Sequence, residues 1–136
     1  MKKTTMLKKN YEFKAVLTKG KCFKEKEIEI FILKNNKKKN FLGIAIITKS
    51  GKAFQRNRAK RIIRESYSKL EENIIDGNSI VVLINRNYPI ENITYSAVLE
   101  EMHKIFVFPH LFSNYSNVTS TAATAFDYVT PFGSKT

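Results

Sequence analysis

The stretch from Lys49 to Arg64 carries seven cationic side chains, Lys49, Lys52, Arg56, Arg58, Lys60, Arg61 and Arg64, and no acidic one. Five arginines occur in the whole chain, and four of them fall between positions 56 and 64. A general bias toward lysine does not produce that cluster. The guanidinium group is planar and presents paired N–H donors, so arginine suits a bidentate grip on phosphate. At 100° per residue, Ala59, Ile62, Ile63, Ser66, Tyr67 and Leu70 form one apolar stripe. Asn57, Arg58, Arg61 and Arg64 then project on the opposite face, with Lys60 at its margin. Arg56 falls nearer the apolar side and is expected at the helix entrance. An ordinary exposed helix is stitched by Glu–Lys pairs four residues apart, yet no acid precedes Glu65 here. Free N–H groups and the positive dipole end at the helix start add to the attraction for an anion. The chemistry these residues offer is the binding of a polyanion, with nucleic acid foremost.

Residues able to do covalent chemistry are sparse. His103 and His110 have no cysteine near either and read as packing or surface histidines. Glu25, Glu27 and Glu29 alternate as on a strand and read as a solvated edge rather than a metal site. Cys22 is the only cysteine, which excludes an internal disulfide and suits a reducing cytoplasm. No glycine-rich phosphate loop is present. Asn92-Ile93-Thr94, Asn114-Tyr115-Ser116 and Asn117-Val118-Thr119 match glycosylation sequons. No apolar signal run follows Met1-Lys2-Lys3, so they read as chance. No stretch approaches the apolar length of a membrane span.

These side chains need a scaffold, and 136 residues with 43% hydrophobic content supply one modest core. The net charge of +12 belongs to residues 1–106, because residues 107–136 contain only Lys135 and Asp127. Residues 1–6 read as a loose basic lead. From Asn10 to Leu17, Phe13, Val16 and Leu17 make one helical stripe, with Asn10 as N-cap and Gly20 as a left-handed stop. Residues 27–33 alternate as a strand, and the apolar run Phe41 to Ile47 reads as a second. The Asn- and Lys-rich turn between them, with Lys37-Lys38-Lys39 solvated, suggests a hairpin. Ser50-Gly51 breaks the strand, and the basic helix follows over Gln55 to Leu70. Asp76-Gly77-Asn78 is a turn and Ser79 to Ile84 a buried strand. Thr94 can cap a third helix with Ile93, Ala97, Val98, Met102, Ile105 and Phe106 inward. The local reading is therefore α+β, one sheet with three helices. Residues 107–136, Ser/Thr-rich after Pro109, read as a neutral, loosely ordered tail outside a domain of residues 1–106.

Arg56-Asn57-Arg58-Ala59-Lys60-Arg61-Ile62-Ile63-Arg64-Glu65 closely resembles the signature of the bacterial ribonuclease P protein subunit. Leu7-Lys8-Lys9-Asn10 with Glu12-Phe13, Lys19-Gly20, Leu42 to Ile46, Asp76 to Ile84 and Thr94-Tyr95 extend the resemblance over residues 7–106. It implies a four-stranded sheet in the order α-β-β-β-α-β-α, with a left-handed βαβ crossover, as in the ribosomal protein S5 domain 2-like fold. It also implies a function. The family's protein joins a catalytic RNA that removes the 5′ leader of precursor tRNA. Cleavage is endonucleolytic hydrolysis by a metal-activated water, with Mg2+ held mainly by the RNA. By resemblance, Lys49, Lys52, Arg56, Asn57, Arg58, Lys60, Arg61 and Arg64 contact RNA, and Phe13, Leu17 and Phe31 stand at the leader cleft. Leu17 replaces a frequent aromatic, and Lys52 stands where the family usually has Asn. Glu27 and Glu29 share parity with Phe31, which would put negative charge on the leader face. The expected partners are the catalytic RNA and precursor tRNA, with no DNA and no membrane. The alternatives are a general structural RNA-binding or ribosome-associated protein, or a nuclease that works without RNA.

Overall fold

The computed structural model describes residues 3–47, 51–107 and 111. Lys49, Ser50, Pro109, His110 and nearly all of the expected tail lie outside the described residues. Five strands and three helices follow in order: β1 Thr4–Met6, α1 Asn10–Lys19, β2 Lys21–Lys24, β3 Ile28–Lys34, β4 Asn40–Ala45, α2 Ala53–Leu70, β5 Asn78–Ile84 and α3 Tyr95–Val107. Short 3-10 turns at Glu71–Asn73 and Ile90–Asn92 flank β5. The strands make one mixed sheet in the order β1-β4-β5-β3-β2.

The sheet departs from the sequence expectation in two respects. The sheet has five strands, not four, because the basic lead contains β1, which pairs in parallel with β4 through Thr4–Asn40, Thr5–Phe41 and Met6–Leu42. A three-residue edge strand carries too little alternation to be read from its own residues. Several contacts hold it from a distance. The Thr4 hydroxyl shares a 2.8 Å hydrogen bond with Tyr67, and the Lys3 N–H donates to Glu71 at 3.0 Å.

The second correction concerns the hairpin. β3 and β4 are not neighbours, because β5 lies between them, antiparallel to β3 and parallel to β4. β2 and β3 make the actual hairpin. Adjacent strands lie about 4.8 Å apart, so the β3–β4 loop has only to step over one strand. It does so while holding the start of β5. The Asn35 N–H donates to the Gly77 carbonyl at 2.9 Å, and the Asn78 N–H donates to Asn40 Oδ1 at 2.9 Å. β5 reads as a near-continuous apolar run because both its faces are covered, as expected of a central strand.

The faces of the sheet carry different loads. Ile28, Ile30, Ile32, Leu42, Ile80 and Val82 face the main core, closed by α2 and α3. Tyr67 of α2 meets Phe106 of α3 edge to face, with ring centres 6.3 Å apart. The other face holds a smaller core of Leu7, Val16 and Val81, with Phe13, Leu17, Phe31 and Leu33 packed against it. Gly43 makes this second core possible. A Cβ there would stand 2.6 Å from the Phe13 ring, so glycine lets α1 lie directly on β4.

The helix ends refine the sequence reading. Lys9, not Asn10, is the N-cap of α1, and Glu12 reaches back to accept its N–H at 3.1 Å. That carboxylate satisfies a free donor of the helix end and suits the positive dipole. Gly20 has φ −76°, so it is no left-handed stop. It is required by close approach, since a Cβ would lie 2.6 Å from the Val16 carbonyl oxygen. Thr94 does cap α3, accepting the Ala97 N–H at 3.4 Å. Val107 completes α3, and the buried Leu111 bonds back to Ile75 through its carbonyl.

Candidate nucleic-acid interface

α2 begins at Lys52 as N-cap, where Gln55 accepts the Lys52 N–H at 2.7 Å. Its start is two residues earlier than the apolar period alone indicated. Gly51 precedes it with φ +61°, in the left-handed region that favours glycine. Ala59, Ile62, Ile63, Ser66, Tyr67 and Leu70 are buried against the sheet and α3. Asn57, Arg58, Lys60, Arg61 and Arg64 are exposed, and Lys52 is exposed at the entrance. Arg56 is half-buried and folds back, its guanidinium donating to the Gly51 carbonyl at 2.9 Å. It therefore braces the turn that leads into the helix.

Among the described residues, Arg58, Lys60, Arg61 and Arg64 have no ion-pair partner. Arg58–Arg61 and Arg61–Arg64 are three residues apart and Lys60–Arg64 four, so each pair repels, at about 0.2–0.5 kcal/mol. The isolated fold bears that repulsion. A polyanion laid along this face would relieve it and would find four donors free to turn outward.

The uncovered part of the α1 side of the sheet forms a groove. Leu17, Glu29, Phe31, Ala45 and Leu83 make its floor and α1 wall. Asn85, Arg86, Tyr88, Pro89 and Glu91, from the β5–α3 connection, make the opposite rim, and Gly51 reaches it from the start of α2. Leu17 and Phe31 thus meet in one groove. Phe13 does not line it, because its ring is committed to the packing over Gly43. Sequence reasoning missed Arg86, the fifth arginine, and Tyr88. Each stands alone in a loop with no period, and only the turn after β5 carries them to the groove.

The acidic residues divide. Glu29 does face the groove, and the Cys22 thiol lies 3.8 Å from its carboxylate. Burial, then that neighbouring negative charge, pushes the Cys22 thiol up from its ordinary pKa. Glu27 does not share that face, and it is not part of a solvated edge. It precedes β3 and is buried, accepting from the Tyr88 hydroxyl at 3.2 Å and the Thr94 N–H at 3.4 Å. Beside it, Glu101 of α3 is buried and accepts the backbone N–H groups of Glu27 and Ile28 at 2.9 and 3.2 Å. Desolvation raises the Glu101 carboxyl to about 7, although the two N–H donors oppose the shift. Among the described residues no three His, Cys, Asp or Glu side chains come together to hold a metal ion, and no helix is long and apolar enough to cross a membrane.

The fold is a one-sheet α+β domain with an exposed cationic helix face beside a half-apolar groove. Comparison narrows the class. The family model described as Ribonuclease P matches residues 1–108, and the chain belongs to the bacterial ribonuclease P protein component family. The ribonuclease P protein component of Bacillus cereus strain B4264 is 33% identical over 107 residues, which cover 78% of this chain and 91% of the relative. That of Bacillus anthracis is also 33% identical, over 78% of this chain and 88% of its own. Among solved structures, the Thermotoga maritima RNase P protein superposes with a TM-score of 0.66 at 26% identity, covering 74% of this chain and 93% of that one. The Staphylococcus aureus RNase P protein gives a TM-score of 0.68 at 24% identity, over 79% and 96%, a likeness of fold. The family's protein is one component of an endoribonuclease complex that processes tRNA, and an RNA partner follows from that membership.

Proposed function

We propose that this chain binds the catalytic RNA of ribonuclease P and the 5′ leader of precursor tRNA, and so assists Mg2+-dependent removal of the leader. The observation that carries the reading is the exposed α2 face of Asn57, Arg58, Lys60, Arg61 and Arg64, whose cations have no ion-pair partner among the described residues, in a chain of this family. Asn57, Arg58, Lys60, Arg61 and Arg64 grip RNA phosphates, with Lys52 adding charge at the helix entrance and Lys49, three residues earlier in sequence, adding to the same contact. Arg56 acts through the turn at Gly51, positioning the start of the helix.

The groove takes the single-stranded leader. Leu17 and Phe31 offer it an apolar floor, and Arg86 a phosphate contact at the rim. Phe13 packs beside that floor, over Gly43. Leu17 lacks a ring, so stacking at its position is weaker than an aromatic would provide. Glu29 and Glu91 offset Arg86, so grip on the leader is mild compared with that on the helix face. Mg2+ belongs to the RNA in this reading, where it activates the attacking water; among the described residues no group of three His, Cys, Asp or Glu side chains could hold it. The setting is the cytoplasm, with neither DNA nor membrane as partner.

Reconstitution with a bacterial ribonuclease P RNA at low Mg2+ tests the proposal. Stimulated cleavage of precursor tRNA at the mature 5′ end is expected. No stimulation, with the RNA still bound, would favour a general structural RNA-binding role. Cleavage by the protein without RNA would overturn the assignment of the chemistry to RNA.

A further inference from the structure

Phe54 occupies the first turn of α2 and is 65% exposed. Single exposed apolar side chains are common on protein surfaces, but the setting of this one is unusual. Arg58 lies four residues on and Arg61 seven, so all three side chains fall along one ridge of the helix. Asn57 flanks the ridge, and Lys52 precedes it. Tyr11, the other large apolar side chain exposed to this degree among the described residues, has the Lys9 ammonium over its ring at 5.8 Å. Among the described residues no cation covers the ring of Phe54 and no aromatic packs on it. The apolar side chains Ala59, Ile62, Ile63, Tyr67 and Leu70 of the helix turn inward, while this ring stays in water.

The surface around it is built for phosphate. An apolar protein partner would have to bury Arg58 and Arg61, which have no ion-pair partner among the described residues. A nucleic acid supplies both parts, phosphates for the guanidinium groups and a flat, weakly polar base for the ring. RNA-binding proteins read unpaired bases by such stacking. Location supports the match. Gly51, three residues before Phe54 in the chain, lines the groove, so the first turn of α2 that carries the ring begins close to the groove. Position 54 is too early for the apolar period of α2, and it was not among the expected contacts.

We propose that Phe54 is a stacking platform for an unpaired base of the catalytic RNA, held there by phosphate contacts to Arg58 and Arg61. This rests on the reading of α2 as the RNA-subunit face. A base on the ring adds affinity without adding a phosphate contact, so it is independent of salt to first order.

The test measures affinity for the ribonuclease P RNA alone, over a salt series, for the full chain and for Phe54→Ala, Phe54→Leu and Phe54→Trp. The side chain is exposed, so all variants are expected to melt like the parent, which circular dichroism checks. Phe54→Ala and Phe54→Leu are expected to weaken binding by about 5- to 150-fold, the range to which one stacked base converts. The log–log salt slope should stay unchanged, and Phe54→Trp should restore affinity. Parental affinity in Phe54→Ala or Phe54→Leu would overturn the stacking role. A loss seen only with leader-bearing precursor tRNA would overturn the assignment of the base to the catalytic RNA. Failure of the parent protein itself to bind the RNA would instead defeat the underlying functional reading.

Discussion

Replacing Arg58 and Arg61 with alanine removes two of the four exposed cations between positions 57 and 64 of α2, Arg58, Lys60, Arg61 and Arg64, none of which has an ion-pair partner among the described residues. Both project away from the buried stripe, so the main core is untouched and the melting temperature should hold or rise as repulsion falls. Each phosphate contact contributes roughly 0.7–0.9 to the log–log dependence of affinity on salt. Four contacts therefore account for a slope of about −2.8 to −3.6, and two for about −1.4 to −1.8. Between about 50 and 200 mM salt, the four-contact face loses roughly 50- to 150-fold in affinity, and the two-contact face only about 7- to 12-fold. Other basic contacts add equally to both proteins, so the difference in slope is the diagnostic quantity. Titration of labelled ribonuclease P RNA at a series of potassium chloride concentrations measures it. A double variant with the parent's slope would refute the placement of RNA phosphates on this face, whatever its affinity at one salt concentration.

Three further expectations concern the scaffold. Gly43→Ala puts a methyl 2.6 Å from Phe13 Cε1 and 3.0 Å from Leu7 Cδ1; urea denaturation should show a loss of about 1–3 kcal/mol, partly recovered by Phe13→Leu. Tyr67→Phe strands the buried Thr4 hydroxyl, at a cost of about 1–2 kcal/mol in the same assay, and should loosen hydrogen-exchange protection in β1. Glu101 binds its proton more tightly in the folded state, with a carboxyl at about 7. Its stabilising effect is therefore complete below the ordinary carboxylate pKa and lost as pH rises through about 7. Denaturation at several pH values should show that decline, worth at most about 3 kcal/mol, and Glu101→Gln should flatten it.

α2 was legible from residue types and spacing alone. Its stripe of Ala59, Ile62, Ile63, Ser66, Tyr67 and Leu70 is a local period, and the outward placement of Arg58, Arg61 and Arg64 follows from helix geometry. The same holds for the cap at Thr94 and the inward face of α3. Apolar periodicity survives in one dimension because burial selects it residue by residue. Strand pairing is different. Two adjacent apolar runs separated by a turn look like a hairpin, yet the energetically better partner for β3 was β5, more than forty residues away. That pairing lets the apolar strand bury both faces.

The groove shows the same limit. Leu17 and Phe31 were expected there through family resemblance, but Arg86 and Tyr88 arrive only through the turn after β5. Phe13 leaves it because Gly43 draws its ring beneath α1. Glu27 turns from a surface acid into a buried acceptor because Tyr88 and Thr94 close over it. Side-chain chemistry and local period thus sufficed for the cationic helix, whose face depends on its own backbone. The neighbours of the sheet and the lining of the groove depend on contacts between distant segments, which only the packed chain decides.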